Sequence, residues 1–390
     1  MSVRVFSVSC GRRHQRSGWG WNPSPRTLNC DAKEFTLNRI GGKVRITTRR
    51  GFLRSDPRKT TPPCRWRSEL RGIMGRNLIT GGFGFIGHHL MNLLLEQAEE
   101  VSIFDVAAAS RLGVAPEGVK AFRGDISNWA QVMDAVKESG ADCIFHSSAI
   151  LPPTSEQNPQ AGYAVNVTGT FNILEAARLF GVKQVIFLST LATFGRDVPR
   201  VVPNDVAQHP PSMYGTTKVC GERLGEYYRR RFGIDFRGVR LTPLMGMGRF
   251  DTAQSAYVYR TVQDSALGRP YTIYVAPETR ISVTYVKDAA RGLLDLRNAP
   301  QDRLTRQVYN LSGFAVTAGE LADAVRRTVP DAKLDFKADP KMIELVENLP
   351  ERLEDTLARQ DWNWTIRYDL DASVRDMVQD TRAHRHIYEQ

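Results

Sequence analysis

From Met74 onward the chain alternates short apolar runs with amphipathic stretches, and the alternation loosens after Gly246. Asn77–Thr80 predicts a short strand closed by glycines. Ile86–Gln97 predicts a helix with Ile86, Leu90, Leu93 and Leu94 on one face. Further strands are expected at Val101–Phe104, Val119–Phe122, Cys143–His146, Val185–Leu188 and Asp235–Arg240. Helical stretches lie between them, notably Gln160–Phe180 and Met213–Phe232. Strands separated by helices imply a parallel sheet with right-handed crossovers, so the fold class expected is doubly wound α/β. Beyond Gly246, helix-like Ala253–Leu267, Val286–Asn298 and Thr317–Thr328 alternate with strands at Thr272–Tyr274, Gln307–Leu311 and Lys333–Phe336. Residues 74–245 are thus read as the doubly wound domain. Residues 246–390 are read mainly as a smaller substrate-binding lobe, partly interleaved with it.

Charge separates a third segment. The 390 residues carry 53 Lys+Arg against 42 Asp+Glu, yet residues 1–73 hold 17 of the bases and only four of the acids. A basic extension without sustained periodicity precedes a nearly neutral body. It is read as disordered, with a targeting segment, a basic arm or an over-called start as the alternatives. Without clustered Lys/Arg the body is not expected to bind nucleic acid. The uncharged stretch near the middle, Gln184–Gly195, is well short of the roughly 18–20 residues of a membrane span, and none is expected. Five cysteines in no paired pattern fit a reducing compartment, so a cytoplasmic location is expected, organellar if residues 1–73 are a transit peptide.

Thr80-Gly81-Gly82-Phe83-Gly84-Phe85-Ile86-Gly87 follows the first strand and opens the first helix. Gly81 permits a tight turn, Gly84 lets backbone approach a pyrophosphate, and Gly87 lets helix pack closely on strand. The helix N-terminus, with Phe85 and Ile86, offers unpaired N–H groups to the anion. Asp105 ends the second strand, where a carboxylate binds ribose hydroxyls and repels a 2′-phosphate. NAD is therefore the expected cofactor, although Arg111 nearby leaves NADP open. Asp125 and Ile126 are placed to meet the adenine, or else Asp125 is a solvated turn carboxylate.

Tyr214 and Lys218 in Tyr214-Gly215-Thr216-Thr217-Lys218 share one helical face. A phenol with a pKa near 10 is a poor base at neutral pH, and an adjacent ammonium stabilises its phenolate. Lys218 can also hold the nicotinamide ribose. Ser189 and Thr190 end the strand before this helix, and a hydroxyl there can bond the substrate oxygen, Thr190 being favoured.

With these motifs the body resembles the extended short-chain dehydrogenase/reductase family, in its NAD-dependent epimerase/dehydratase group. Asn166 in Val165-Asn166-Val167-Thr168-Gly169-Thr170 matches the asparagine that supports the family's active site. His146-Ser147-Ser148-Ala149 stands where members carry a cofactor-contacting loop, which brings in Ser148. Ser189 through Gly195, Phe232 through Arg237 and Asp361 through Trp364 are most like its threonine-oxidising branch. The resemblance implies an NAD-binding Rossmann domain. It also implies oxidation of a secondary alcohol of a small amino or hydroxy acid, L-threonine first. Nucleotide-sugar epimerisation or dehydration is the alternative, though the asparagine that such epimerases carry near Pro243 is missing. A homodimer through the helices at 160–180 and 213–232 is implied as well. Arg249 and Arg280 are candidates for a substrate carboxylate or phosphate, or else surface arginines. No metal site is expected, because the seven histidines are dispersed, and no GxSxG elbow points to serine nucleophile chemistry.

Overall fold

The computed structural model describes residues 2–9, 31–40, 43–51, 75–347 and 349–389, the first three stretches as backbone strands only. The chain divides into two units, Met1–Ser68 and Glu69–Gln390. In the first, Ser2–Ser9, Asp31–Ile40 and Lys43–Gly51 form an antiparallel sheet in that order. Regular structure thus occurs in these stretches, where the sequence shows no sustained period. Val, Ile, Thr and Phe favour strands even without alternation. The remainder of the disorder expectation lies outside the described residues.

The second unit is built on seven parallel strands: β1 (Arg76–Thr80), β2 (Glu100–Asp105), β3 (Lys120–Arg123), β4 (Cys143–His146), β5 (Gln184–Thr190), β6 (Asp235–Leu241) and β7 (Val308–Leu311). Their order is β7-β6-β5-β4-β1-β2-β3, so the chain reverses direction across the sheet between β1 and β4. That switch point opens a crevice at the C-terminal strand ends. Alternate side chains feed opposite layers. Ile79, Phe145 and Ile186 join one core with α1 (Phe85–Glu96), while Leu78, Ile144 and Phe187 join another with α3 (Gly169–Phe180). The first layer also holds Leu293 and Leu294 of α6 (Val286–Asn298), and α2 (Trp129–Ser139) belongs to the second.

The region after Gly246 is shared between two bodies. β7 and α6 belong to the central sheet and its packing layer. A separate core gathers α5 (Ala256–Ala266), α7 (Ala318–Thr328), α8 (Leu370–Ala383) and the strand Arg280–Tyr285. The single helix expected over Gln160–Phe180 is interrupted: Pro159–Tyr163 is α-helical, Ala164–Thr168 is a π turn, and α3 follows. The wide turn coincides with Asn166, whose amide is bonded outside the helix. No helix of the described residues is long and apolar enough to cross a membrane.

Candidate active site

A cavity of about 780 Å³ lies at the C-terminal strand ends. Gly81, Gly84, Phe85, Ile86, Asp105, Asp125, Ile126, Ser148, Ser189, Thr190, Tyr214, Lys218 and Arg249 all line it. Gly87 and Asn166 lie behind the wall. Arg280 is elsewhere, in a second cleft of about 390 Å³ with Arg196, Arg200 and Glu351.

The glycine loop fits a dinucleotide by exclusion of side chains. Gly81 has φ +70°, and a Cβ on Gly87 would stand 2.2 Å from the Gly81 carbonyl oxygen. The N-cap of α1 is Gly84, which has no side chain to cap the first-turn N–H groups. Asp105 is oriented by two backbone amides, accepting from Phe83 N and Ala107 N, each at 3.0 Å. Arg111 lies over the Phe250 ring, 4.9 Å from its centroid. Asp125 accepts from the Ser127 amide and hydroxyl, both at 2.8 Å, while Ile126 is buried against Gly169.

Behind the loop a hydrogen-bonded chain ties β1 to α3. Thr170 donates to the Asn166 carbonyl at 2.6 Å, so it accepts from His146 Nε2 at 2.9 Å. Thr80 then donates to His146 Nδ1 at 2.8 Å and accepts from the Ser148 amide at 3.3 Å. Burial pushes His146 down to about 3, so the ring is neutral and this proton order holds.

The candidate reacting side chains come from β5 and α4 (Met213–Phe232). Ser212 caps α4 through Gly215 N at 3.1 Å, and Glu156 accepts from Met213 N and Tyr214 N at 2.9 and 3.1 Å. These bonds fix the first turn and the half-buried Tyr214 on it. Lys218 is one turn on and buried, its Nζ 5.8 Å from the Tyr214 ring centroid. Burial pushes the Tyr214 phenol above its ordinary value and draws Lys218 down to about 7, with Glu222 working against the fall. Thr190 accepts from Ala192 N at 3.2 Å, an arrangement that leaves its proton to donate. Ser189 is differently engaged: its hydroxyl donates to buried Glu222 at 2.5 Å. Asn166 brackets Ile150, accepting from its amide and donating to its carbonyl, and also donates to Thr217 at 3.1 Å.

Arg249 is held in place by its own neighbours. It pairs with Asp251 through Nε and Nη2, donates to the Leu244 carbonyl at 2.6 Å and reaches Ser255 at 3.2 Å. The sequence reading missed Glu222, Arg240, Gln208 and Glu156. Of these only Glu222 carried a signal, its position four residues beyond Lys218 on the same helix.

The NAD dependent epimerase/dehydratase family pattern matches residues 77–312. A protein of Sus scrofa named L-threonine 3-dehydrogenase, mitochondrial, is 29% identical over 354 residues, covering 87% of this chain and 92% of the relative. The crystal structure of L-threonine dehydrogenase from Clostridium difficile superposes with a TM-score of 0.75 at 28% identity, covering 80% of this chain and 99% of that one. A UDP-glucose 4-epimerase of Thermotoga maritima shares the fold, with a TM-score of 0.71 at 22% identity over 79% of this chain and 98% of that one. The chain is an NAD-dependent enzyme and belongs to the NAD dependent epimerase/dehydratase family.

Proposed function

We propose that the protein oxidises the secondary alcohol of a small amino or hydroxy acid, L-threonine first. The observation that carries this reading is one cavity lined by Tyr214, Lys218 and Thr190 together with the glycine loop and Asp105. The naming of relatives that match over nearly their whole length points to threonine.

NAD, held by the glycine loop and Asp105, would supply the hydride acceptor for the carbinol carbon. The protein's part is the proton and the orientation. Thr190 donates to the substrate oxygen and sets its direction. Tyr214, as phenolate, takes the hydroxyl proton. Its raised pKa must first be brought down, and the Lys218 ammonium, 5.8 Å from the ring centroid, is the cation for that. Lys218 also binds the nicotinamide ribose, and Asn166 keeps α4 in register with the Ile150 segment. Gly81, Gly84, Phe85, Ile86 and Gly87 hold the pyrophosphate, and Ser148 closes the loop beside it. Asp105 takes the adenosine ribose, with Asp125 and Ile126 at the adenine. Arg249 serves a substrate carboxylate through the remaining Nη1 hydrogen. Arg280, in a separate cleft, takes no part in this reading.

Replacing Tyr214 with Phe tests the reading: turnover is expected to fall by about 10²–10⁴-fold while NAD still binds. Normal turnover in that variant would overturn it. The second reading is a nucleotide-sugar epimerase or dehydratase, favoured by the family pattern itself. It predicts sugar conversion with no net NADH.

The enzyme is further proposed to be a homodimer. Phe171, Leu179, Phe180, Tyr227 and Phe232 stand exposed on α3 and α4, large apolar side chains on the helix pair that the sequence points to. A cytoplasmic location is proposed. Organellar import is the alternative, supported by the basic segment 1–73 and by the name of the Sus scrofa relative.

A further inference from the structure

A buried charge cluster stands behind the reacting residues and has no role in the mechanism above. Glu222, on α4 one turn beyond Lys218, is fully buried. Its Oε1 accepts from Ser189 Oγ at 2.5 Å and from Arg240 Nε at 3.0 Å. Its Oε2 accepts from Arg240 Nη2 at 2.8 Å and from Gln208 Nε2 at 3.0 Å. Arg240 and Ser189 are register partners on β6 and β5, so both side chains reach the same helix. Arg240 also donates to the Asn204 carbonyl at 2.9 Å and lies over the Phe194 ring at 5.1 Å. One carboxylate therefore joins α4, the end of β5, β6 and the segment 194–208.

As a stability device such a pair is poor, because an apolar pair of similar volume often holds elements as well or better. An apolar pair cannot hold the hydroxyl beside Thr190, and it cannot place a negative charge one turn from Lys218. We propose that Glu222, held by Arg240, is a positioning residue that fixes the Thr190 strand end through Ser189 and keeps Lys218 protonated. The inference rests on the roles given above to Thr190, Tyr214 and Lys218.

The groups around Lys218 agree with it. Tyr214 and Glu222 lie on its own helix, neutral His146 on β4, and Arg240 on β6 behind Glu222. From β5 come the Leu188 carbonyl and the Phe187 ring, which carry no charge. Among these groups Glu222 is the one whose charge favours the ammonium. Removing that charge must let Lys218 lose its proton at lower pH.

The test uses the full-length enzyme with 15N-labelled lysine, following the Lys218 titration by NMR alongside kcat and NAD affinity. In Glu222→Gln the Lys218 midpoint is expected to fall by about one pH unit. Ser189→Ala is expected to leave the midpoint and NAD affinity unchanged and to lower kcat about tenfold. Glu222→Asp keeps the charge but withdraws it from Ser189, so the midpoint stays while kcat falls. An unmoved midpoint in Glu222→Gln, or an unchanged kcat in Ser189→Ala, overturns the proposal. Where Glu222→Gln does not fold, an unchanged kcat in Ser189→Ala or in Glu222→Asp overturns the proposal. The titration needs no substrate, so it stands apart from any failure of wild-type enzyme to oxidise L-threonine.

Discussion

Lys218 Nζ donates to the Leu188 carbonyl oxygen at 2.7 Å, which pins the cation of α4 to the end of β5. The bond is short, buried and directed away from solvent, and it fixes the ammonium beside the Phe187 ring at 4.7 Å. A compact ammonium fits this position and a planar guanidinium does not. Lys218→Arg is therefore expected to lose at least about 100-fold in kcat while the protein remains folded. Steady-state kinetics with a melting curve check this.

Gly87 is the tightest point of the phosphate loop. A methyl group there would meet the Gly81 carbonyl at 2.2 Å and Gly82 Cα at 2.9 Å, both backbone atoms with little room to move. Gly87→Ala should destabilise the protein by about 1–3 kcal/mol. It should also weaken NAD binding at least about tenfold, since the loop must open to admit the methyl. Denaturant unfolding and NAD titration by fluorescence measure the two effects separately.

Asp105 is proposed to decide between the two dinucleotides. Its carboxylate is fixed by the Phe83 and Ala107 amides, and Arg111 is stacked on Phe250. Asp105→Ser removes the repulsion of a 2′-phosphate. The ratio of kcat/KM for NADP over NAD should then rise by at least about tenfold, a difference of roughly 1.4 kcal/mol. An unchanged ratio would place the ribose away from Asp105.

The apolar faces of α3 and α4 set the fourth expectation. Phe171 is 43% exposed and Tyr227 48%, more than a monomer's scattered surface residues need explain when five lie together on two helices. Phe171→Asp combined with Tyr227→Asp should halve the mass in solution seen by light scattering. A wild-type mass equal to one chain would remove the dimer.

Much of the central sheet was legible because its strands are buried on both faces and read as unbroken apolar runs. Cys143–His146, Met213–Phe232 and Val286–Asn298 have the bounds that periodicity suggests. The glycine loop and the Tyr/Lys pair were legible for another reason, since their spacing is local and chemistry dictates it. What could not be read are relations that only folding creates. Arg240 and Glu222 are separated by 18 residues, and nothing in their spacing marks a pair. The π turn at Asn166 breaks a helix that its side chains would otherwise sustain, because the amide is used to bracket Ile150. Val308–Leu311 follows the lobe in sequence but completes the sheet at its far edge, so a boundary at residue 246 divides the sequence more cleanly than the structure.

The cavity is proposed to use Tyr214, Thr190 and Lys218 for net oxidation of a small amino-acid alcohol. Absorbance at 340 nm with purified enzyme, NAD and L-threonine tests it directly. A steady rise that depends on L-threonine and disappears in Tyr214→Phe is the predicted result. No rise with L-threonine, together with conversion of a nucleotide sugar at constant NAD, would contradict it.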